Sequence, residues 1–349
     1  MAKGTPVNRR SERVTLADVA LAAGVSQATV SKVLNGRSDV SAGTREHVLE
    51  VVAATGYRPT TPRHDRPRTR SLVTVLDFVA SPYAGTVLQE ILAAATEAAT
   101  ELVVRLPPEP SIGAGAARAW VDGLLAAGAV GVIELAVAVP DAVLTAAGDR
   151  ELPVVTIDPI GTADARAVNI GATNWAGARS ATEHVIRLGH RRIAWIGGPP
   201  DSAPSAERFQ GYRAALDEAG LAADPALVRH DAFTVEAGFR HGRELLTLAA
   251  APTAVVAGND EIAIGVLAAA KELGLDVPGR LSVTGFDDTS QTEWISPGLT
   301  SVRQPLAGMG RMAVETVLSM AKGARPASRH LQLATALTVR DSTGPVPAA

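Results

Sequence analysis

Apolar residues recur at helical spacing in the first part of the chain. Leu16, Val19 and Ala20 share one face, Val30, Val33 and Leu34 a second, and Val48, Leu49 and Val52 a third. Between these faces stand the residues that start and stop helices. Thr15 precedes the first, with Asp18 placed to complete a capping box. Gly24 offers the positive φ of a sharp turn, and Ser26 caps the second helix. Asn35-Gly36 ends that helix, Ser41 opens the third and Gly56 closes it. Residues 14–59 therefore read as three short helices, the first two joined by a tight glycine turn.

The period changes after residue 71. Short apolar runs are expected as strands at 72–79 (LVTVLDFV), 101–106, 129–136 (AVGVIELA) and 153–158 (PVVTID). Helices are expected between them at 84–100, 114–127 and 140–147. A second series has helices at 174–188, 205–219, 235–248, 260–273 and 306–321. Its strands fall at 192–197 (RIAWIG), 227–230, 253–257, 281–286 (LSVTGF), 300–303 and about 331–339. Such alternation predicts parallel sheets with right-handed crossovers. The fold class is α/β: a three-helix head, then a two-subdomain, doubly wound body with a cleft between its halves. The expected segments are a disordered basic arm at 1–13, the head at 14–59, a linker at 60–71, a body at 72–341 and a tail at 342–349. Within the body, 72–160 plus 290–325 are assigned to one subdomain and 161–289 plus 326–341 to the other.

Composition narrows the function. The chain has 349 residues and no cysteine, which excludes disulfides, thiolate metal sites and cysteine nucleophiles. The first residues, MAKGTPVNRRSERV, hold no apolar signal-peptide core. No window reaches the roughly 18–20 apolar residues of a membrane span. A cytoplasmic protein without membrane contact is expected. Residues 1–70 hold twelve Lys/Arg against six Asp/Glu, a net +6, whereas the whole chain carries −3 and the remainder therefore −9. A basic head on an acidic body points to a polyanion at one end only.

Helix, glycine turn, helix is the arrangement that lays a second helix in the DNA major groove. Its first residues are Ser26, Gln27, Ala28 and Thr29, with Ser31 and Lys32 a turn later. Gln27 suits bidentate contact with adenine, Ala28 a thymine methyl, and Lys32 a guanine or a phosphate. Thr15 and Asn35 flank this set. The linker TTPRHDRPRTR offers Arg63 and Arg66 to a minor groove. A three-helix packing module without a DNA role is the plainer alternative.

The runs VTLADVALAAGVSQATVSKVLNG and VSAGTREHVLEVVAATGYRP resemble the DNA-binding head of the LacI/GalR family of bacterial transcription regulators. The body resembles that family too, through NWAGARSATEHVIRLGHRRIAWIGG, ERFQGYRAALDEAGL, AGNDEIAIGVLAAAKELGLDVPGRLSVTGFDD and LTSVRQPLAGMG, so that the likeness spans residues 15–339. It implies a homodimer on a palindromic operator, and repression controlled by a small molecule held between two subdomains joined by three crossovers. The linker departs from the family pattern: it has no leucine to wedge into the minor groove, and Pro62 and Pro67 disfavour a hinge helix.

Strand ends supply the candidate effector residues, because ligands of parallel sheets bind there. Asp158 ends PVVTID, Asn259 follows TAVVAG, and Asp287 follows LSVTGF. The resemblance places Arg208, Asn259 and Asp287 where the family grips its ligand, with Asp158 and Gln304 in matching segments. Phe78, Tyr83 and Trp294 are placed to supply aromatic faces. Carboxylates that accept and Arg or Asn that donate suit a sugar. Asp260 reads as a helix N-cap, and His184 and His190 as favourable charge at a helix end. No P-loop, HExxH or GxSxG occurs, and the neighbouring carboxylates Asp287 and Asp288 would diverge, so no catalytic, metal or cofactor site is expected. The rival readings are a sugar-binding protein serving a transporter and a sugar-metabolising enzyme.

Overall fold

The computed structural model describes residues 14–34, 40–57, 70–77, 80–161, 164 and 166–346. The chain divides into two compact units, an N-terminal head and a body from Thr69 onward.

In the head, α1 spans Leu16–Ala23, α2 Gln27–Leu34 and α3 Ala42–Thr55. The capping box forms: the Thr15 amide donates to Asp18 Oδ2 at 2.7 Å, and the Asp18 amide to Thr15 Oγ1 at 3.4 Å. Gly24 and Gly56 adopt left-handed backbone, both with φ 65°. Ser26 Oγ accepts from the Thr29 amide and Ser41 Oγ from the Thr44 amide. Val19, Ala20, Ala23, Val30, Val33 and Val48 close a small core. Leu49, expected inside, is 47 % exposed, because the inner face of α3 runs through Val48, Val51 and Val52.

The body opens with β1 (Ser71–Val75), α4 (Pro82–Glu97), β2 (Glu101–Arg105), α5 (Ala114–Ala126), β3 (Ala129–Leu135), α6 (Asp141–Asp149), β4 (Val154–Ile157) and β5 (Val168–Ala172). It continues with α7 (Asn174–Arg187), β6 (Ile193–Gly197), α8 (Ala203–Glu218), β7 (Val228–His230), α9 (Val235–Leu246), β8 (Ala254–Ala257), α10 (Asp260–Glu272) and β9 (Ser282–Asp287). Last come α11 (Gln291–Trp294), β10 (Thr300–Arg303), α12 (Leu306–Met320), β11 (His330–Leu333) and β12 (Ala336–Thr338). Two six-stranded sheets result, in the orders β11-β5-β4-β3-β1-β2 and β12-β10-β9-β8-β6-β7. Every pairing is parallel except β10 with β12. Such strands are buried on both faces, which explains their continuous apolar runs. In the first sheet, α4 and α12 cover one face over Leu72, Ile133 and Ile170, while α5 and α6 cover Val73, Val132 and Val154 on the other. In the second, α9 and α10 close over Ile196, Val255 and Val283, and Trp195, Tyr212 and Val256 fill the opposite side.

The subdomain segments differ from those expected. Residues 168–172 belong with the first sheet, because β5 pairs with β4. Residues 290–303 belong with the second, because β10 runs beside β9 with Thr300 opposite Thr284. The single strand expected at 331–339 is two: β11 joins β5, and β12 joins β10. The chain thus crosses between subdomains near Thr173, at Gln304-Pro305 and at Ala334-Thr335. The first and third crossings are stitched together, with the Thr335 amide donating to Thr173 Oγ1 at 2.9 Å. The expected tail at 342–349 is part of the second subdomain as far as Val346: Ser342 is buried and donates to the Val283 carbonyl, and the Val346 amide donates to the Leu188 carbonyl.

His190 is buried under this segment. Its ring nitrogens lie 2.9 Å from Thr253 Oγ1 and from Ser282 Oγ, and burial lowers its pKa. Burial lowers that of His184 as well. Burial thus disfavours the charged form of both, against the reading of favourable charge at a helix end.

Helices α9 and α10 approach closely where Gly238 and Gly265 face each other's backbone. A Cβ on Gly265 would overlap the Val235 carbonyl oxygen. Gly265→Ala is expected to destabilise the body by about 3 kcal/mol, read as a lower urea midpoint; an unchanged midpoint would mean the helices separate freely.

Candidate functional site

Parallel strands place their carboxyl ends on one edge of a sheet, and here the edges of both subdomains face a common cavity of about 200 Å³. The first subdomain contributes Tyr83 from α4 and Asp158 from just past β4. The second contributes Arg208 from α8, Asn259 from the turn after β8, and Asp287 at the end of β9. Asp158 and Asp287 both have positive φ, 45° and 112°. This is costly for a residue with a Cβ and is typical of positions fixed by their surroundings.

Arg208 organises the second wall. It is 4 % exposed, and its guanidinium carbon lies 3.8 Å above the centre of the Phe286 ring. Its Nε donates to Asn174 Oδ1 at 2.8 Å and its Nη1 to the Gly258 carbonyl at 2.7 Å. Nη1 also lies 3.5 Å from Asp287 Oδ1. Asp287 Oδ1 accepts from Gln304 Nε2 at 2.7 Å. On the facing wall, the Tyr83 hydroxyl donates to Asp158 Oδ2 at 2.7 Å. Burial raises the pKa of Asp158 and of Tyr83, and raises that of Asp287 well above the carboxylate range despite the nearby guanidinium.

Five of the eight candidate effector residues line this cavity: Tyr83, Asp158, Arg208, Asn259 and Asp287. Gln304 does not line it but braces Asp287 from behind, at the second crossover. Trp294 is corrected: on the short helix α11 it is 77 % exposed and lies off the cavity. Phe78 lies outside the described residues. Asn259, not Asp260, caps α10, its Oδ1 accepting from the Ile262 amide at 2.9 Å. Asp260 is buried instead, accepting from the Thr289 amide and from Ser301 Oγ, and burial raises its pKa to about 7. Asp288 turns away from Asp287 to Arg303 and Arg340, at 2.8 and 2.6 Å. Phe233, Thr234, Glu261 and Ser81 also line the cavity and were not among the candidates. The sequence marks Phe233 only as one of five phenylalanines, and Glu261 only as an acid in the first turn of α10.

In the head, Gln27, Ala28 and Lys32 are exposed along α2, with Ser26 and Thr15 exposed at the caps. Thr29 is half-buried, its hydroxyl 2.9 Å from that of Ser26, and Ser31 is half-buried. Asn35, Arg63 and Arg66 lie outside the described residues, as does most of the linker. Among the described residues, no helix is long and apolar enough to cross a membrane.

Comparison with known proteins agrees with both parts. Residues 15–60 match the model of bacterial regulatory proteins, lacI family, and residues 182–343 match a periplasmic binding protein-like domain. The chain is 34 % identical over 343 residues to the transcriptional regulator CelR of Thermobifida fusca, covering 95 % of this chain and 99 % of that one. It is 29 % identical to the transcriptional repressor CytR of Escherichia coli K12, covering 97 % and 99 %. Among solved structures, a CelR–cellobiose complex superposes with TM-score 0.69 at 32 % identity, over 95 % of this chain and all of that one. The lac repressor dimer bound to operator and the anti-inducer ONPF superposes with TM-score 0.69 at 27 % identity, over 95 % and 100 %.

Proposed function

The chain belongs to the lacI family of bacterial regulatory proteins, as a DNA-binding transcriptional regulator with an effector domain, and from that premise we propose that it is a sugar-responsive repressor. The observation that carries this reading is the convergence on one cavity of Tyr83 and Asp158 from one subdomain with Arg208, Asn259 and Asp287 from the other. A ligand touching both walls favours one angle between the subdomains. It can shift operator affinity only by its differential affinity for the two states. The carboxylates accept from vicinal hydroxyls, Asn259 and Arg208 donate, and Phe233 offers an apolar face. The sugar bound by the related CelR supports this class.

The head reads the operator through Gln27 and Ala28, with Ser26, Thr29, Ser31 and Lys32 set beside them. A palindromic operator matches a two-fold dimer, and the related lac repressor is a dimer on its operator. In this reading the protein acts in the cytoplasm and releases its effector unchanged, with Asp287 engaged by Arg208 and Gln304 and Asp288 turned away to Arg340.

Fluorescence anisotropy on labelled duplexes from upstream of its own gene, at fixed salt, tests this reading. Specific binding released by one uncharged sugar, recovered unchanged, is the expected result. No preference over random DNA with or without sugar would overturn it. Within the head, Gln27→Ala is expected to cost about 1–3 kcal/mol at one half-site position and relax preference there. Competition with single-base operator variants measures this; preference unchanged at every position would remove Gln27 from the readout.

A further inference from the structure

Glu261 lines the same cavity, yet the proposed sugar contacts leave it without a partner in the ligand. It is the second residue of α10 and is half-buried. An acid in the first turn of a helix is ordinary, since it complements the helix dipole. Two observations go beyond that. First, Glu261 Oε2 accepts from Ser81 Oγ at 3.4 Å, across the cleft from the opposite subdomain. Ser81 stands at the N-cap of α4 but makes no side-chain bond to its own helix, so its hydroxyl serves the cleft rather than the cap.

Second, the cavity is rich in carboxyl groups. Three carboxyl groups, Asp158, Glu261 and Asp287, share it with one guanidinium. That guanidinium is already engaged with Asn174, Gly258 and Asp287. Among the described residues, Asp158 Oδ1, Asp287 Oδ2 and Glu261 Oε1 have no protein donor. These open oxygens stand beside the donors of the cavity, the Asn259 amide and the Ser202 and Thr234 hydroxyls among them. A ligand that brings many hydroxyl donors completes this set. One that brings a phosphate or carboxylate sets an anion beside Glu261, the least buried of the three, in a partly dehydrated cleft where the repulsion is weakly screened.

We infer that Glu261 is a specificity-determining residue of the effector site, which selects an uncharged, hydroxyl-rich sugar and rejects the phosphorylated or acid form of the same sugar. Glu261 does this from the mouth of the cleft, where it accepts from a ligand hydroxyl and repels an anion. Asp158 and Asp287 hold the deeper part of the ligand. This inference rests on the sugar reading of the site.

The test uses the full-length protein and a panel of uncharged mono- and disaccharides, screened by thermal shift. Each sugar that binds is then titrated calorimetrically beside its 6-phosphate and its aldonic acid. The wild type is expected to bind the anionic forms at least 100-fold more weakly than the uncharged one. Glu261→Gln is expected to narrow that gap at least tenfold, and Glu261→Lys further still, with thermal melts confirming that both variants fold. Anionic forms bound by the wild type as tightly as the uncharged sugar would overturn the inference and leave the sugar reading intact. So would an unchanged gap in both variants. If no sugar of either kind binds the wild type, the sugar reading falls and the inference with it.

Discussion

Arg208→Ala is expected to abolish the response to effector and to destabilise the body by about 3–5 kcal/mol. Both effects follow from how completely this side chain is enclosed. Truncation leaves Asn174 Oδ1 and the Gly258 carbonyl without their donor, and leaves Asp287 buried without its cation. It also removes the planar group stacked on Phe286. Removing one member of a buried, hydrogen-bonded set costs more than the set contributes, because the polar partners left behind stay dehydrated and unsatisfied. A double variant, Arg208→Met with Asp287→Asn, separates the two effects. It removes the buried ionisable pair together and is expected to recover most of the stability while remaining unresponsive to sugar. Thermal melts and operator anisotropy with sugar titration measure the two outcomes. A normal sugar response in Arg208→Ala would remove Arg208 from the effector site.

Glu134→Gln is expected to stabilise the protein in alkaline solution and to do little in acid. Glu134 lies in the middle of the first sheet, opposite Val75 of β1 and Thr156 of β4. It is 1 % exposed, and neither carboxyl oxygen has a hydrogen-bond partner among the described residues. Burial therefore raises its pKa from 4.5 to about 8. A group whose folded pKa lies above its unfolded one stabilises fully below the unfolded value, and that stability drains away as pH rises to the folded value. Each pH unit in that window costs about 1.4 kcal/mol, so the window from 4.5 to 8 amounts to roughly 4–5 kcal/mol. Glutamine keeps the shape and cannot ionise. Urea unfolding of both proteins at about pH 5, 6.5 and 8 should show their difference widening steadily with pH. Parallel pH profiles would mean that Glu134 does not titrate in this window.

The cavity was legible in the sequence to the extent that it is built from strand ends. A run such as LSVTGF announces a buried parallel strand, and the polar residue after it must sit on the ligand edge, which is where Asp287, Asp158 and Asn259 are found. Trp294 failed that logic because the chain leaves β9 through two positive-φ aspartates and carries α11 away from the cavity. Glu261 and Phe233 escaped because a first-turn acid and a lone aromatic after a three-residue strand each have an ordinary local explanation. Strand β5 was missed because VNIGA carries Asn and Gly in so short a run. The division of LQLATALT between two sheets was hidden for another reason. No proline or glycine marks the crossing at Ala334-Thr335, and only tertiary pairing decides where one strand stops. His190 shows the same limit, since a histidine just past a helix looks like a cap until the distant Ser282 and Gly344 close over it.

The three crossings also order events during synthesis. The first sheet is begun by residues 71–172, but its edge strand β11 and its covering helix α12 lie after residue 305. Until those residues leave the ribosome, α4 lacks the helix that packs beside it over Ile91 and Val87, and β5 lacks its outer neighbour. The second sheet likewise waits for β12 and for the segment that seals His190. Contacts spanning such long stretches of chain slow folding and prolong the exposure of apolar surface. Neither half of the body is complete first, and a nascent chain halted before Leu306 presents the α12-facing side of α4 to chaperones and to other copies of itself.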